Sequence, residues 1–183
     1  MDTQRLLRRI RLILGFFLVA LFISGLTAIP LRTELAILDA LAGVRSPLQT
    51  LWPSLAEWIS RVRVALDITY STYPFMAYGT DWLAFGHFVI AIAFIGPIRD
   101  PSRNVWVIEL GILACILLVP YAVIFGIVRG IPPFWTLVDS LFGLLGVVPL
   151  LIARRWAGRL PSTWRQSTSA PNNSVEPTRP AAE

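Results

Sequence analysis

Apolar and polar positions fall along this chain in long blocks rather than in alternating faces. Ile10 to Ile29 is a run of twenty residues whose only charge is Arg11, at its edge. Trp82 to Ile98, Val105 to Val128 and Phe134 to Ala153 form three more such runs. A helix rises about 1.5 Å per residue and a bilayer core takes roughly 20 residues, so each run predicts a transmembrane helix; the second, about 26 Å long, is short but sufficient. Asp81 is placed to cap the start of the second helix and Pro97 marks its exit. Asp100-Pro101 reads as the start of the third, with aspartate as cap and proline at the first helical position. Pro120 removes a backbone donor inside the third and predicts a kink. Trp82, Trp106, Trp135 and Trp156 fall at or beside the ends of the runs, where indole rings favour the headgroup level.

The residues from Pro30 to Asp81 are too many for a plain connection. Thr33 to Leu41 predicts a short helix ended by Gly43. Ser54-Leu55-Ala56-Glu57 has the spacing of a capping box. Leu55, Trp58, Ile59, Val62 and Leu66 then recur at helical spacing, with Glu57, Arg61 and Asp67 on other faces. This pattern predicts an amphipathic helix that lies on the outer leaflet or caps the membrane helices. From Pro161 the chain is rich in Pro, Ser, Thr and Asn and predicts a disordered tail.

Composition agrees with a membrane class: 55% of the 183 residues are hydrophobic and 15% are charged, against the 45–50% apolar content usual in soluble domains. All 16 basic residues are arginines, clustered beside the apolar runs, so the net charge of +5 reads as a topology signal and not as a nucleic-acid face. Eleven arginines (5, 8, 9, 11, 99, 103, 154, 155, 159, 165 and 179) would lie on one side and five (32, 45, 61, 63 and 129) on the other. The excess belongs in the cytoplasm, which puts both termini there. The first run exceeds the h-region of a signal peptide, and Leu26-Thr27-Ala28 is a poor cleavage site, so it is expected to remain as a span.

The expected architecture is all-α: an integral membrane four-helix bundle with a small extracytoplasmic helical cap between helices 1 and 2. Its segments are a basic cytoplasmic N-terminus (1–9), helix 1 (10–29), the amphipathic segment (30–81), helices 2–4 (82–98, 105–128 and 134–153, within 82–156) and a cytoplasmic tail (157–183).

Ionisable groups at membrane depth are costly and usually face a protein interior, which singles out His87, the one histidine, together with Asp139 and Glu109. His87 lies five residues past Trp82 and Asp139 five past Phe134, so both sit at about 7.5 Å depth. With Tyr121, Asp81 and Arg129 near that level, they outline a polar pocket open to the outer side, in which histidine would pass protons or hold a ligand against a carboxylate. The structural alternative, preferred here, is an interhelical hydrogen bond that fixes register. Glu109 is within reach of Arg99, Arg103, Arg154 or Arg155 for an ion pair at the inner end; a proton or ion site there would need a wetted cavity. Ala122, Gly126 and Gly130, four apart, let another helix approach closely, either within the bundle or in a homodimer or other membrane complex. One histidine and one cysteine supply no metal, haem or zinc ligand set, and no phosphate loop or nucleophile elbow is present, so no cofactor and no catalytic residue is assigned.

The runs Tyr78-Gly79-Thr80-Asp81-Trp82-Leu83-Ala84-Phe85-Gly86-His87, Phe94-Ile95-Gly96-Pro97-Ile98-Arg99-Asp100-Pro101 and Arg129-Gly130-Ile131-Pro132-Pro133-Phe134-Trp135 resemble a group of uncharacterised bacterial inner-membrane proteins with four transmembrane helices. The resemblance covers roughly residues 74–150. It implies a bacterial plasma membrane and a shared architecture, and because the group has no assigned activity it transfers no catalytic residue. Three functions stay open on the sequence. The preferred one is a non-enzymatic accessory or interaction subunit. The others are a small transporter or sensor using the His87 and Asp139 pocket, and an enzyme acting on a lipid or quinone.

Overall fold

The structure, a computed structural model, describes residues 3–160; the predicted tail beyond them lies outside the described residues. Within that range every element is a helix: α1 (Thr3–Ala28), α2 (Leu31–Ala42), α3 (Leu48–Leu51), α4 (Pro53–Thr72), a 3-10 turn at Pro74–Ala77, α5 (Tyr78–Ala93), α6 (Ile95–Arg99), α7 (Val105–Arg129) and α8 (Pro133–Ala157). Four stretches are long and apolar enough to cross a membrane, namely Thr3–Ala28, Pro74–Arg99, Val105–Arg129 and Pro133–Ala157. Between 11% and 22% of their apolar windows is buried within the chain. In water, that much uncovered apolar surface would drive association; facing lipid, it is what a spanning helix presents.

The chain divides into two compact units, one of residues 13–98 and the other of the described residues on either side of it. In the first unit α1 meets α5 at Gly25, where a methyl group would fall 2.7 Å from His87 Cβ and 3.1 Å from the Ala84 carbonyl oxygen. Only a glycine permits that approach. Phe22 on Phe88 and Phe17 on Phe94, with ring centroids 4.9 Å and 4.8 Å apart, continue the contact along both helices.

α2 and α4 lie side by side, joined by a polar network. The Ser60 hydroxyl donates to Asp39 and accepts the Val44 amide at 3.0 Å, while Arg63 reaches the second Asp39 oxygen at 3.5 Å. Arg32 holds Asp67 through its Nε at 3.0 Å and through a second guanidinium nitrogen. Of the stripe read from the sequence, Leu55, Trp58, Ile59, Val62 and Leu66 are all buried or half-buried, and Glu57 and Arg61 are exposed. α2 and α3 supply the cover by packing on α4.

Two caps expected in this unit are not made. Pro53 takes the first position of α4, which places Ser54 and Glu57 inside the helix, and no side chain caps it; proline is pre-organised for that position and starts the helix early. Likewise Pro74 opens a 3-10 turn that runs straight into α5, so the helix begins at Tyr78 and Asp81 lies in its first turn. At the other end Pro97 does not end the span. It interrupts it one turn earlier: the amide that proline lacks would have bonded the Ala93 carbonyl, and α5 stops at Ala93 before α6 resumes.

In the second unit α7 and α8 form an antiparallel hairpin. Its turn is a Schellman motif: Gly130 has φ 65°, the Ile131 amide bonds the Gly126 carbonyl at 2.8 Å, and the Gly130 amide bonds the Ile127 carbonyl at 3.2 Å. Pro133 then occupies the first position of α8. Asp100 does not cap α7. Its Oδ1 accepts the Ser102 amide and hydroxyl and the Arg103 amide, at 3.1, 2.8 and 3.0 Å, closing a separate turn, and α7 starts later, at Val105. The first residues of α1 also belong to this unit. Arg5, Arg8, Arg9 and Arg11 lie within α1, which begins at Thr3 ahead of the apolar run, and Leu6, Leu7 and Ile10 between them recur at helical spacing and are at most 4% exposed. Val107, Ile108, Leu150, Ala153, Ala157 and Leu160 are equally buried. The densest core therefore sits where α7 begins and α8 ends.

Candidate functional site

His87 and Asp81 belong to the first unit; Asp139, Tyr121, Arg129, Glu109 and the paired arginines belong to the second. His87 is half-buried, with its Nδ1 2.8 Å from the Leu83 carbonyl one turn back on the same helix. A carbonyl only accepts, so Nδ1–H is the donor, and Nε2 has no partner among the described residues. Gly25 fixes the Cβ, so the ring's base is positioned by packing and its tip by its own helix. Asp81 is exposed and has no side-chain hydrogen bond or ion pair among the described residues.

In the second unit Asp139 is half-buried in α8 and has no hydrogen bond or ion pair among the described residues. One residue on, Ser140 is buried and turns its hydroxyl back to the Thr136 carbonyl at 2.8 Å. A serine in an apolar helix satisfies itself in that way without an outside partner. Tyr121 is 65% exposed and stacks on Phe125, with centroids 4.5 Å apart. Arg129 is the last residue of α7, exposed beside the Schellman turn. Glu109 accepts from Arg154 Nε at 2.6 Å. The side chains of Arg99, Arg103 and Arg155 make no ion pair among the described residues.

Two close approaches lie inside the hairpin, at Gly126 of α7 and Gly143 of α8. A methyl at Gly126 would lie 2.5 Å from the Thr136 hydroxyl, and one at Gly143 would lie 2.5 Å from the Cys115 carbonyl oxygen. Gly130 has open space around it, and its role is the left-handed turn. Gly25 and Gly143 are the packing residues that the sequence reading passed over. For Gly143 a signal was present, since Thr136, Ser140 and Gly143 recur at i, i+4 and i+7 and put small side chains on one face of α8. Gly25 had no such pattern around it.

No group of three or more His, Cys, Asp or Glu among the described residues is arranged to hold a metal ion. The chain matches no protein-family model, no curated protein and no solved structure.

Proposed function

We propose that the chain is a multi-pass protein of a bacterial inner membrane, with four spans, both termini in the cytoplasm and residues 30–81 as a helical cap outside. Its work, on this reading, is that of a non-enzymatic accessory or interaction subunit, held among other membrane proteins. The reading is carried by the way two of the least expected ionisable side chains are occupied. His87 is bonded within its own helix and Glu109 is held by Arg154, so each has a structural reason to be where it is. The exposed apolar sides of the helices then remain as surface for lipid and for neighbouring helices. Association within a bilayer draws on close packing and a few polar contacts.

A second reading, a small transporter or sensor, is favoured by one observation. Asp139 is an acidic side chain inside a span with no partner among the described residues, and unpaired carboxylates at that depth mark proton or ligand paths. The experiment that separates the two is purification in mild detergent of the wild type, His87→Ala and Asp139→Asn, with sizing and reconstitution into proteoliposomes. The subunit reading expects a complex of fixed stoichiometry with other membrane proteins, kept by both variants. A lone chain whose proteoliposomes carry a proton-coupled flux abolished by Asp139→Asn would overturn it.

A further inference from the structure

We infer that the end of the second unit, where α1 and α7 begin and α8 finishes, is a binding surface for the phosphate groups of anionic phospholipids. Arg8, Arg9, Arg99, Arg103, Arg155 and Arg159 are all exposed there, and none of their guanidinium groups has a partner among the described residues. They share one level of the unit. Glu109 of α7 is bonded to Arg154 of α8, and Arg11 of α1 donates to the Arg99 carbonyl at 3.2 Å. The acidic groups described at this end are already engaged, Glu109 by Arg154 and Asp100 Oδ1 by the Ser102 and Arg103 amides. Buried leucines and alanines of the same elements fix the backbone that carries this collar of arginines.

Three features select a lipid phosphate over other anions. All six groups are guanidiniums, whose planar fork matches two phosphate oxygens at once, whereas an ammonium acts as a point charge. The collar adjoins exposed apolar surface within about one turn, at Leu12, Trp106, Leu151 and Ile152. The anions held at that boundary are lipid headgroups, and a tryptophan beside them is at home at that depth. Positive charge at a helix end also steers topology during insertion, and that role requires only charge. A phosphate surface requires in addition that the groups stay available in the folded protein, and among the described residues these six guanidinium groups have no partner.

The test measures equilibrium binding of short-chain fluorescent phosphatidylglycerol and phosphatidylcholine to the full-length chain in a neutral detergent. Phosphatidylglycerol should bind at least about tenfold more tightly, and the difference should shrink as salt is raised. The variant R8Q/R9Q/R155Q/R159Q should lose most of that preference, while R45Q/R61Q in the other unit should keep it. Equal binding of the two lipids, or a preference unchanged in the fourfold variant, overturns the proposal. So does complete competition by millimolar inorganic phosphate, which would mean a site for the free ion, or displacement of the lipid by a labelled oligonucleotide at lower concentration. Should the fourfold variant fail to accumulate, the wild-type preference and its salt dependence decide alone. A preference that is absent or insensitive to salt counts against the collar.

Discussion

Arg154 and Glu109 are 45 positions apart in sequence, and in the fold the arginine Nε lies 2.6 Å from a glutamate oxygen. The pair pins the last turns of α8 to the beginning of α7, at the opposite end of the hairpin from the Schellman turn. Both side chains remain 42–49% exposed, so the attraction is discounted for screening. A value of about 1 kcal/mol is reasonable for such a pair. Arg154→Gln and Glu109→Gln should each lower the melting temperature in detergent by about 2–4 °C. The reversed pair R154E/E109R should recover part of the loss. Additive losses in all combinations would mean that the two groups do not interact.

Gly143 sets how closely α7 and α8 approach. A methyl there meets the Cys115 carbonyl, a backbone atom that cannot rotate away. Gly143→Ala should cost about 1–3 kcal/mol through overpacking. Gly86 in α5 has nothing within 4 Å of such a methyl, so Gly86→Ala should be neutral or stabilise by about 0.5–1 kcal/mol. Thermal unfolding of both variants in one detergent checks the contrast.

Gly130 has φ 65° and open space around it, so a side chain there meets backbone strain but no clash. Gly130→Ala should cost about 1 kcal/mol, and Gly130→Asn less, because asparagine tolerates the left-handed region. An alanine variant as stable as the wild type would mean that the turn adopts another conformation.

Ser60 links α2 to α4 by serving Asp39 and the Val44 amide together. Ser60→Ala leaves both without that partner and should cost about 1–2 kcal/mol locally. The loss should appear as faster hydrogen exchange confined to residues 31–72, with α7 and α8 unchanged. Exchange that rises equally throughout would contradict the division into two units.

The four long apolar helices were legible in the sequence because length and apolarity belong to the segment itself, and neither depends on knowing the neighbours. The ends of the helices were less legible, for two reasons. Pro53 and Pro74 start helices by fixing φ, so the polar caps read from Ser54 and Asp81 were bypassed. Asp100 found its donors within its own turn, two and three residues on, and never reached the helix. The inward stripe of α4 was readable as a period, but what covers it was not, since α2 and α3 reach it only through tertiary folding. The partner of His87 was the least legible part. His87 bonds backward along its own helix, and no count of depth can foresee that choice.

The account depends most on four crossings with the arginine-dense ends on one side. Single cysteines placed at Arg45 and Arg159 in a Cys115→Ser background, labelled in intact cells with a membrane-impermeant maleimide, test it directly. The prediction is rapid labelling at position 45 in intact cells, and labelling at position 159 only after the membrane is opened. Equal labelling of both positions in intact cells would contradict the topology.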